Sequence, residues 1–261
     1  MAAAREVPEY RLLGTRMHAM TIEDWLGVVQ EAASTGRRRI MVGQNLHSVY
    51  LVHHDSDLAA AQELVDYVRI DGLPLVLFGR ALGHPVTTRH RSGFMDLLDP
   101  LMARAATNGW RIYYLGSKPG VAARGADLLR ARHPGLVIES DHGYFDPDDA
   151  AENGAVIDRV NAFRPDVLIV GMGMPRQERW ILRNHQRLSA SAIVASGAAI
   201  DYVAGEIRTA PRWLSAVGLE WLFRLLAEPK RLWRRYLVEP WFVLALFAKD
   251  LRARYLRRPT R

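Results

Sequence analysis

The sequence contains no cysteine among its 261 residues. This absence excludes disulfide bonds, zinc sites with thiolate ligands and catalysis by a cysteine nucleophile. The nine histidines are scattered along the chain and form no HExxH motif of the kind that binds zinc. We therefore expect a protein that works with no metal and no other cofactor.

Long hydrophobic segments are also lacking. The longest apolar run is 241–248, whereas a membrane-spanning helix needs about 20 apolar residues. Residues 1–8 include Glu6 and no apolar stretch, which is not the pattern of a signal peptide. We expect a cytoplasmic protein that touches any membrane from one side only.

The excess of positive charge lies at one end of the chain. Residues 224–261 hold 11 basic and three acidic side chains, a balance of +8, whereas the rest holds 24 basic and 25 acidic, a balance of −1. Such a segment attracts anions such as lipid phosphates, nucleic acid or a diphosphate substrate. A solvated helix face would show the same charge pattern.

Short apolar runs alternate with segments of helical periodicity, which predicts an α/β fold: a Rossmann-like, mostly parallel sheet with helices on both faces. The predicted strands are 39–42, 75–78, 111–115, 136–139, 167–170 and 192–195, and the predicted helices are 22–34, 58–68, 95–107, 121–132, 150–162 and 176–186. From Trp213 onward the pattern is helical, with breaks at Pro229 and Pro240. We expect an α/β core domain at 1–205 and a basic, amphipathic helical appendage at 206–261.

Two predicted strands end in glycine-rich turns. Gly116 and Gly120 flank a turn that opens a helix, where backbone N–H groups can bind a phosphate. The spacing matches neither a dinucleotide fingerprint nor a P-loop, and steric reasons alone also place glycine in such turns. Gly171 and Gly173 precede a helix whose first turn carries Gln177, a side chain that suits a sugar hydroxyl or a phosphate oxygen.

Carboxylates at other turns have two interpretations each. Asp71, in an Ile-Asp-Gly turn before the predicted strand 75–78, is either an ordinary turn residue or a general base at the edge of a pocket. The pairs Asp146/Asp148 and Asp55/Asp57 match the loose DxD pattern of metal-dependent sugar transferases. Both pairs directly precede predicted helices, so helix capping explains them better.

Several motifs together resemble the WecG/TagA/CpsF glycosyltransferases, glycosyltransferase family 26, over nearly the whole chain. In order they are Gly43-Gln-Asn45, Ile70-Asp-Gly72, Leu115-Gly-Ser-Lys-Pro-Gly120, His133-Pro-Gly135, Gly143-Tyr-Phe145, Pro165-Asp166, Val170-Gly-Met-Gly-Met-Pro-Arg-Gln-Glu178, Asp201 with Gly205, Gly218-Leu-Glu-Trp-Leu-Phe-Arg224, Glu228-Pro229, Arg231 and Arg234-Arg-Tyr236. The combination of the PRQE block with the LEW…R…EP…R…RRY block is specific to that family.

The resemblance implies an inverting, metal-independent enzyme that moves a sugar from a UDP-sugar to a saccharide on undecaprenyl diphosphate, in the synthesis of bacterial surface or exopolysaccharide. It implies the catalytic residues Asp71, as general base, Gln177 and Arg89. The implied substrate-binding residues are Asn45, Tyr144, Asp201, Gly116, Gly171, Gly173, Arg224, Arg231 and Arg234. The implied partners are the UDP-sugar, the lipid-linked acceptor and an anionic membrane surface, and nucleic acid is not among them. The resemblance leaves open whether the enzyme forms a homo-oligomer.

The chain departs from the family pattern in three places. Gly43 stands where a threonine is common, two residues before Asn45. The pocket arginine corresponds to Arg89 when counted forward from Asp71, with Arg91 as the alternative. An Arg-Ala-Pro motif is replaced by Thr209-Ala-Pro211, with Arg208 before it. All three departures concern the expected sugar pocket.

Two other functions compete with a glycosyltransferase. A nucleotide-binding α/β protein without transferase activity would share the alternating pattern, and a nucleic-acid-binding protein would explain the basic tail. Neither alternative explains Asp71, the PRQE turn and the tryptophans among the tail arginines together.

Overall fold

An eight-stranded sheet forms the centre of the structure, a computed structural model that describes residues 7–208 and 220–256. The strands are β1 (Glu9–Leu12), β2 (Thr15–His18), β3 (Arg39–Gln44), β4 (Tyr67–Ile70), β5 (Arg111–Gly116), β6 (Val137–Asp141), β7 (Val167–Gly171) and β8 (Ala192–Ala195). Their spatial order is β1-β2-β4-β3-β8-β7-β5-β6. The pairing is parallel except in the β1–β2 hairpin. The predicted α/β class and mostly parallel sheet are confirmed.

Helices connect and cover these strands. They are α1 (Ile22–Thr35), α2 (Leu46–His54), α3 (Ser56–Leu64), α4 (Leu73–Ala81), α5 (Phe94–Asn108), α6 (Val121–Arg132), α7 (Ala150–Phe163), α8 (Arg176–Asn184), α9 (Ala199–Val203), α10 (Glu220–Ala227), α11 (Pro229–Trp233) and α12 (Glu239–Leu256). A π-helical turn, Arg234–Val238, joins α11 to α12. Short 3-10 turns lie at Thr88–His90 and His185–Arg187.

The sheet is buried on both faces because its central strands carry apolar side chains at successive positions. On β5, Ile112 and Tyr114 pack in the cluster that includes α1, α5, α6 and α9. Tyr113 and Leu115 point the other way, into the cluster with α7 and α8. This alternation follows from the two-residue period of a strand, and it confirms helices on both sides of the sheet.

The chain reverses its direction of winding between β5 and β7. The connection from β5 leads outward to β6, whereas the connection from β7 leads the opposite way to β8. In open parallel sheets such a reversal leaves a crevice beyond the carboxyl ends of the two strands. This rule places the expected binding crevice next to Gly116 and Gly171, the last residues of β5 and β7.

The prediction of a strand at 75–78 is wrong, because these residues lie within α4. A four-residue apolar run has no periodicity that separates a strand from a buried helix, and Pro74 in the first turn favours the helix. The strand is Tyr67–Ile70 instead, so the predicted helix 58–68 was too long. Asp71 consequently follows a strand rather than preceding one.

Other elements were absent from the sequence prediction. The short hairpin β1–β2 extends the sheet beyond β4, and α2 begins directly after β3. Both strands of the hairpin are only four residues long, too short to show a clear alternation. In α2, only Ser48 and Val49 are buried, so its apolar periodicity is weak.

The C-terminal segment is a continuous helix over 229–256 that passes through Pro240. The predicted break at Pro229 is confirmed, since α11 starts there, but the predicted break at Pro240 is wrong. Proline lacks an N–H and its ring crowds the carbonyl four residues earlier. The π-helical turn directly before Pro240 replaces the regular α-helical hydrogen-bond pattern with a wider one, and the helix continues through the proline. Over 213–219 and 257–261, the helix predicted from Trp213 onward lies outside the described residues.

One face of this long helix packs on the core. Val243 is fully buried in a third apolar cluster, shared with the hairpin, α2 and α4. Phe242 meets the ring of Tyr50 edge-on at 5.6 Å, and Phe247 stacks on Phe78 at 4.3 Å. Within 7–208 and 220–256, no helix combines the length and the apolar character needed to cross a bilayer.

Candidate active site

The carboxyl ends of β5, β6 and β7 approach so closely that only glycine fits. A Cβ on Gly116 would lie 2.3 Å from the carbonyl oxygen of Gly171, and one on Gly171 would lie 1.9 Å from the Tyr114 hydroxyl. A Cβ on Gly143, after β6, would lie 3.1 Å from the Gly116 Cα. Glycine is thus required at these three positions, because only a residue without a Cβ lets the strand ends pack this closely.

The loop after β5 is held in a strained conformation. Ser117 has φ of +62°, in the left-handed region that non-glycine residues seldom adopt. Its hydroxyl donates to Asp201 Oδ1 at 2.6 Å, and its N–H donates to the Gly171 carbonyl at 3.2 Å. Asp201, a predicted pocket residue, therefore lies at the crevice and helps to hold this loop.

Tyr144 lies at the mouth of the same crevice. It directly follows Gly143, which packs beside Gly116 and Met172, and it is 63% exposed. Among the described residues this is the most exposed aromatic side chain outside the C-terminal helices. A ring presented to solvent beside a glycine-lined crevice is available to stack on a ligand.

Gln177 is buried, with 1% of its surface exposed. Its Oε1 accepts from the N–H of Gly197 at 3.0 Å and from the N–H of Gly173 at 3.3 Å. Its Nε2 donates to Glu178 Oε1 at 2.7 Å. The amide expected to face a sugar or phosphate instead ties the loop after β7 to the loop after β8.

Glu178 supports Gln177 from an unusual environment. Its Oε2 is buried and has no hydrogen-bond partner. Burial raises the pKa of this carboxyl to about 7, although the hydrogen bond from Gln177 acts in the opposite direction. Sequence reasoning assigned Glu178 no specific role, because an acidic residue in a first helical turn usually interacts with the helix dipole at the surface.

Asp71 lies at the end of β4, on the same edge of the sheet as the crevice. Its N–H donates to the Gln44 carbonyl at 2.8 Å. Its Oδ1 lies 3.2 Å from Arg69 Nη1, and the side chain is 29% exposed. Oδ1 also lies 3.3 Å from where a Cβ on Gly93 would be. The carboxylate is therefore held on one side and accessible to solvent.

Asn45 caps α2 next to Asp71. Its Oδ1 accepts from the Ser48 N–H at 3.2 Å, and its own N–H donates to the Ser48 hydroxyl at 2.7 Å. The Cβ of Asn45 lies 3.6 Å from where a Cβ on Gly72 would be. Asn45 and Asp71 thus sit together at the ends of the neighbouring strands β3 and β4, although Asn45 already has a capping role.

The two candidate pocket arginines occupy one loop. Arg89 is exposed in the 3-10 turn Thr88–His90. Arg91 forms a parallel bridge with Ile70, directly before Asp71, and its guanidinium lies 3.5 Å from Asp96 Oδ2. The loop therefore passes alongside the end of β4 and presents Arg89 just beyond it.

The C-terminal arginines differ in their surroundings. Arg224 is half-buried on α10, Arg231 is exposed and paired with Glu228, and Arg234 lies 5.8 Å from the ring centroid of Trp233.

Arg235, which sequence reasoning passed over, turns inward on the π-helical turn. Burial lowers its pKa, as does the charge of Arg224; Tyr236, Glu239 and Asp71 act in the opposite direction.

This interaction places Arg235 within electrostatic range of Asp71. The same helix is fixed to α2 by a contact of 2.6 Å between Glu239 Oε2 and His47 Nδ1. His47 lies two residues after Asn45. The C-terminal helix therefore runs past the strand ends that carry Asn45 and Asp71.

The acidic DxD pairs have structural partners. Asp55 caps α3 as predicted, accepting from the N–H groups of Asp57 and Leu58. The cap of α7 is Asp149 rather than Asp146 or Asp148, which corrects the prediction. Asp146 accepts from the Asp148 N–H within the turn that precedes the helix. Asp149 is the residue directly before the helix, so it takes the capping position. In the described part of the chain, no three His, Asp or Glu side chains gather as metal ligands would.

Replacing Glu178 with Gln should alter the pH dependence of stability. The wild-type carboxyl has a reference pKa of 4.5 and a folded pKa of about 7. The folded state binds the extra proton, so stability falls as pH rises from about 4.5 to 7, by about 3 kcal/mol in total. Urea denaturation should show that the wild-type protein is less stable at pH 8 than at pH 5, and Glu178→Gln should remove this difference. The control Glu139→Gln, at an exposed position, should keep the difference. A Glu178→Gln variant that also keeps the difference contradicts the assignment.

Comparison with known proteins shows the family of the chain. A model of the glycosyl transferase WecG/TagA/CpsF family matches residues 10–256. An N-acetylglucosaminyldiphosphoundecaprenol N-acetyl-beta-D-mannosaminyltransferase of Staphylococcus aureus strain NCTC 8325 is 28% identical over 187 residues, 70% of this chain and 71% of that protein. Proteins of the same name from strains COL and MRSA252 match to the same extent. The match over nearly all of the described strands and helices shows that the chain belongs to the WecG/TagA/CpsF family and is a glycosyltransferase.

Proposed function

We propose that this enzyme moves a sugar from a UDP-sugar to a saccharide linked to undecaprenyl diphosphate, with inversion at the anomeric carbon, in bacterial surface or exopolysaccharide synthesis. The names of the Staphylococcus aureus relatives support this acceptor class. The observation that carries the proposal is the position of Asp71, half-buried and accessible at the carboxyl edge of a parallel sheet. In the proposed division of the chain, 1–205 holds the catalytic core and 206–261 the appendage.

Asp71 is proposed as the general base. Its carboxylate takes the proton of the acceptor hydroxyl while that oxygen forms a bond to the anomeric carbon of the donor. The bond from that carbon to the diphosphate oxygen breaks, and its electron pair leaves with UDP. A single displacement of this kind needs one base and no nucleophile from the enzyme.

The crevice between β5 and β7 is proposed to hold the donor. At this edge of the sheet the loop after β5 leads into α6, and the first N–H groups of that helix are proposed to bind the diphosphate. Gly173, with φ of +78°, turns the loop that Gln177 holds. Tyr144, in the loop after β6, and Asp201, in α9, lie beside the ends of β5 and β7, whereas Asn45 lies at the end of β3 next to Asp71. All three are proposed to contact the donor.

Arginines are proposed to offset the charge that develops on UDP. Arg224, Arg231 and Arg234 lie on the helices that pass the strand ends, Arg235 interacts electrostatically with Asp71, and Arg89 approaches from the opposite loop. Fixed positive charges near the leaving group stabilise the transition state without reorganisation. They are proposed to replace the divalent cation that other sugar transferases use.

The long helix is proposed to bind the inner face of the plasma membrane. Opposite its packed face it exposes an apolar stripe: Trp233 (47%), Leu237 (52%), Trp241 (72%) and Leu244 (42%). An amphipathic helix with aromatic residues on one face and flanking arginines lies in the lipid headgroup region. This placement would bring the lipid-linked acceptor to the edge of the sheet that carries Asp71.

Asp71→Asn should keep the fold and UDP binding but lower turnover by about 10²–10⁴-fold, since loss of a general base costs about that much. Turnover is measured as transfer from a panel of UDP-sugars to a lipid-diphosphate N-acetylglucosamine, followed by mass spectrometry. Asp99→Asn is the control, because this carboxylate on α5 is exposed and pairs with His133, and it should behave as wild type. An Asp71→Asn variant with more than half of the wild-type turnover would remove Asp71 from the mechanism.

Transfer should proceed at nearly the untreated rate in excess EDTA, because the arginines supply the positive charge at the leaving group. The assay is the same, with and without added Mg²⁺ or Mn²⁺. Loss of activity in EDTA that either cation restores would show a metal-dependent reaction and point to Asp146 and Asp148 as ligands.

The double variant Trp233→Glu/Trp241→Glu should weaken sedimentation with phosphatidylglycerol vesicles at least tenfold, since it places charges on the face that would enter the lipid headgroups. Both side chains are exposed, so the thermal shift produced by UDP should not change. Leu128→Glu, which alters an apolar residue of similar exposure on α6 (39%), is the matched control. Equal sedimentation of the double variant and wild type would contradict membrane binding through this stripe.

A further inference from the structure

A buried arginine lies directly behind the proposed base. Arg69 precedes Asp71 by two residues on β4, so both side chains lie on the same face of the strand. Only 3% of the Arg69 side chain is exposed. Its Nη1 lies 3.2 Å from Asp71 Oδ1 and also donates to the carbonyl oxygen of Ser92. One guanidinium thus joins the base to the loop that follows Arg91.

The chain leaves space for this guanidinium at Gly43. A Cβ at that position would lie 2.8 Å from Arg69 Nη2 and 3.0 Å from Cζ. Any side chain on residue 43 would therefore displace the arginine from its present position. Phe94 covers another side, with its ring centroid 5.6 Å from the Arg69 Cζ. The site around Arg69 is closed by residues from three separate segments.

Stability alone is a poor reason for this arrangement. A buried ion pair is seldom better than apolar residues of similar volume, because two charges lose their hydration. Arg69 Nε is moreover buried without a hydrogen-bond partner, which adds to the cost. A costly charge held next to an accessible carboxylate is instead typical of a functional site.

We propose that Arg69 is a positioning residue for the transfer reaction. Its guanidinium fixes Oδ1 of Asp71, so that Oδ2 is directed to the acceptor hydroxyl. Arginine keeps its charge at any working pH and its donors form a rigid fork. It therefore holds the carboxylate in one orientation when the anionic diphosphate of the donor enters beside it. This inference rests on the proposed role of Asp71 as the base.

The test compares Arg69→Met with Arg69→Lys in the purified full-length chain. Met keeps much of the side-chain volume without the charge, whereas Lys keeps the charge but carries it on a flexible ammonium group instead of a rigid, planar guanidinium. Misplacement of a reacting group by about 1 Å can cost about 10²-fold in rate. We expect kcat to fall about 10–100-fold in Arg69→Met and less in Arg69→Lys, with KM for both substrates changed by less than about threefold.

Arg39→Met is the matched control. Arg39 lies on the neighbouring strand β3, is 14% exposed and pairs with Glu31 and Asp66. It is the first residue of that strand, at the opposite edge of the sheet from Asp71. Its loss should lower the melting temperature to a similar extent as Arg69→Met but leave kcat near the wild-type value.

Asp71→Asn measured in parallel separates the two proposals. An inactive Asp71→Asn together with full turnover by Arg69→Met or Arg69→Lys would overturn only the role of Arg69 and would leave Asp71 as the base. An active Asp71→Asn would overturn the base itself. If Arg69→Met does not fold, Arg69→Lys decides: reduced kcat with unchanged KM supports positioning, and wild-type kcat overturns it. A loss of kcat in Arg39→Met equal to that in Arg69→Met would also overturn it.

Discussion

The structure depends on the close approach of backbone at the carboxyl ends of its parallel strands. At the ends of β5 and β7, Gly116 and Gly171 lie so near each other that any Cβ would meet a carbonyl or the Tyr114 hydroxyl. This contact fixes the floor of the crevice. The surrounding polar side chains are then held by one another: Ser117 by Asp201, and the loops of Gly173 and Gly197 by Gln177. The site is therefore rigid before any ligand enters, which lowers the cost of binding.

The same edge of the sheet joins the proposed donor crevice to the proposed base. The strand order places β3 and β8 between β4, which ends directly before Asp71, and β7, which ends at Gly171. The C-terminal helix passes these strand ends, where Glu239 meets His47 and Arg235 comes within electrostatic range of Asp71. Its other face exposes Trp233 and Trp241. One helix could thus connect a lipid surface to the chemistry, because the two faces belong to a single rigid element.

The family and the fold class could be read from the sequence, and so could most buried strands, since β5, β7 and β8 are continuous apolar runs. The strand that carries Asp71 was missed, because Arg69 interrupts its apolar pattern and the nearby run 75–78 is equally apolar. Family membership selects the glycosyltransferase among the functions that the sequence left open.

Side-chain partners were harder to predict than positions. Gln177 was expected to face a ligand, but the sequence does not reveal that the loop of Gly197 comes back to its amide. Arg234 was chosen over Arg235 in the tail. A regular helical period gives no warning of the π-helical turn Arg234–Val238, which changes the phase of the helix and turns Arg235 inward.

The account depends most on one accessible carboxylate that acts without an enzyme nucleophile. Its most direct test is the anomeric configuration of the product. Transfer from a ¹³C-labelled UDP-sugar to a lipid-diphosphate N-acetylglucosamine, followed by NMR of the purified product, reports that configuration through the one-bond C1–H1 coupling. Displacement assisted by Asp71 predicts an anomeric configuration opposite to that of the donor. A product with retained configuration would require a second displacement and would contradict the account.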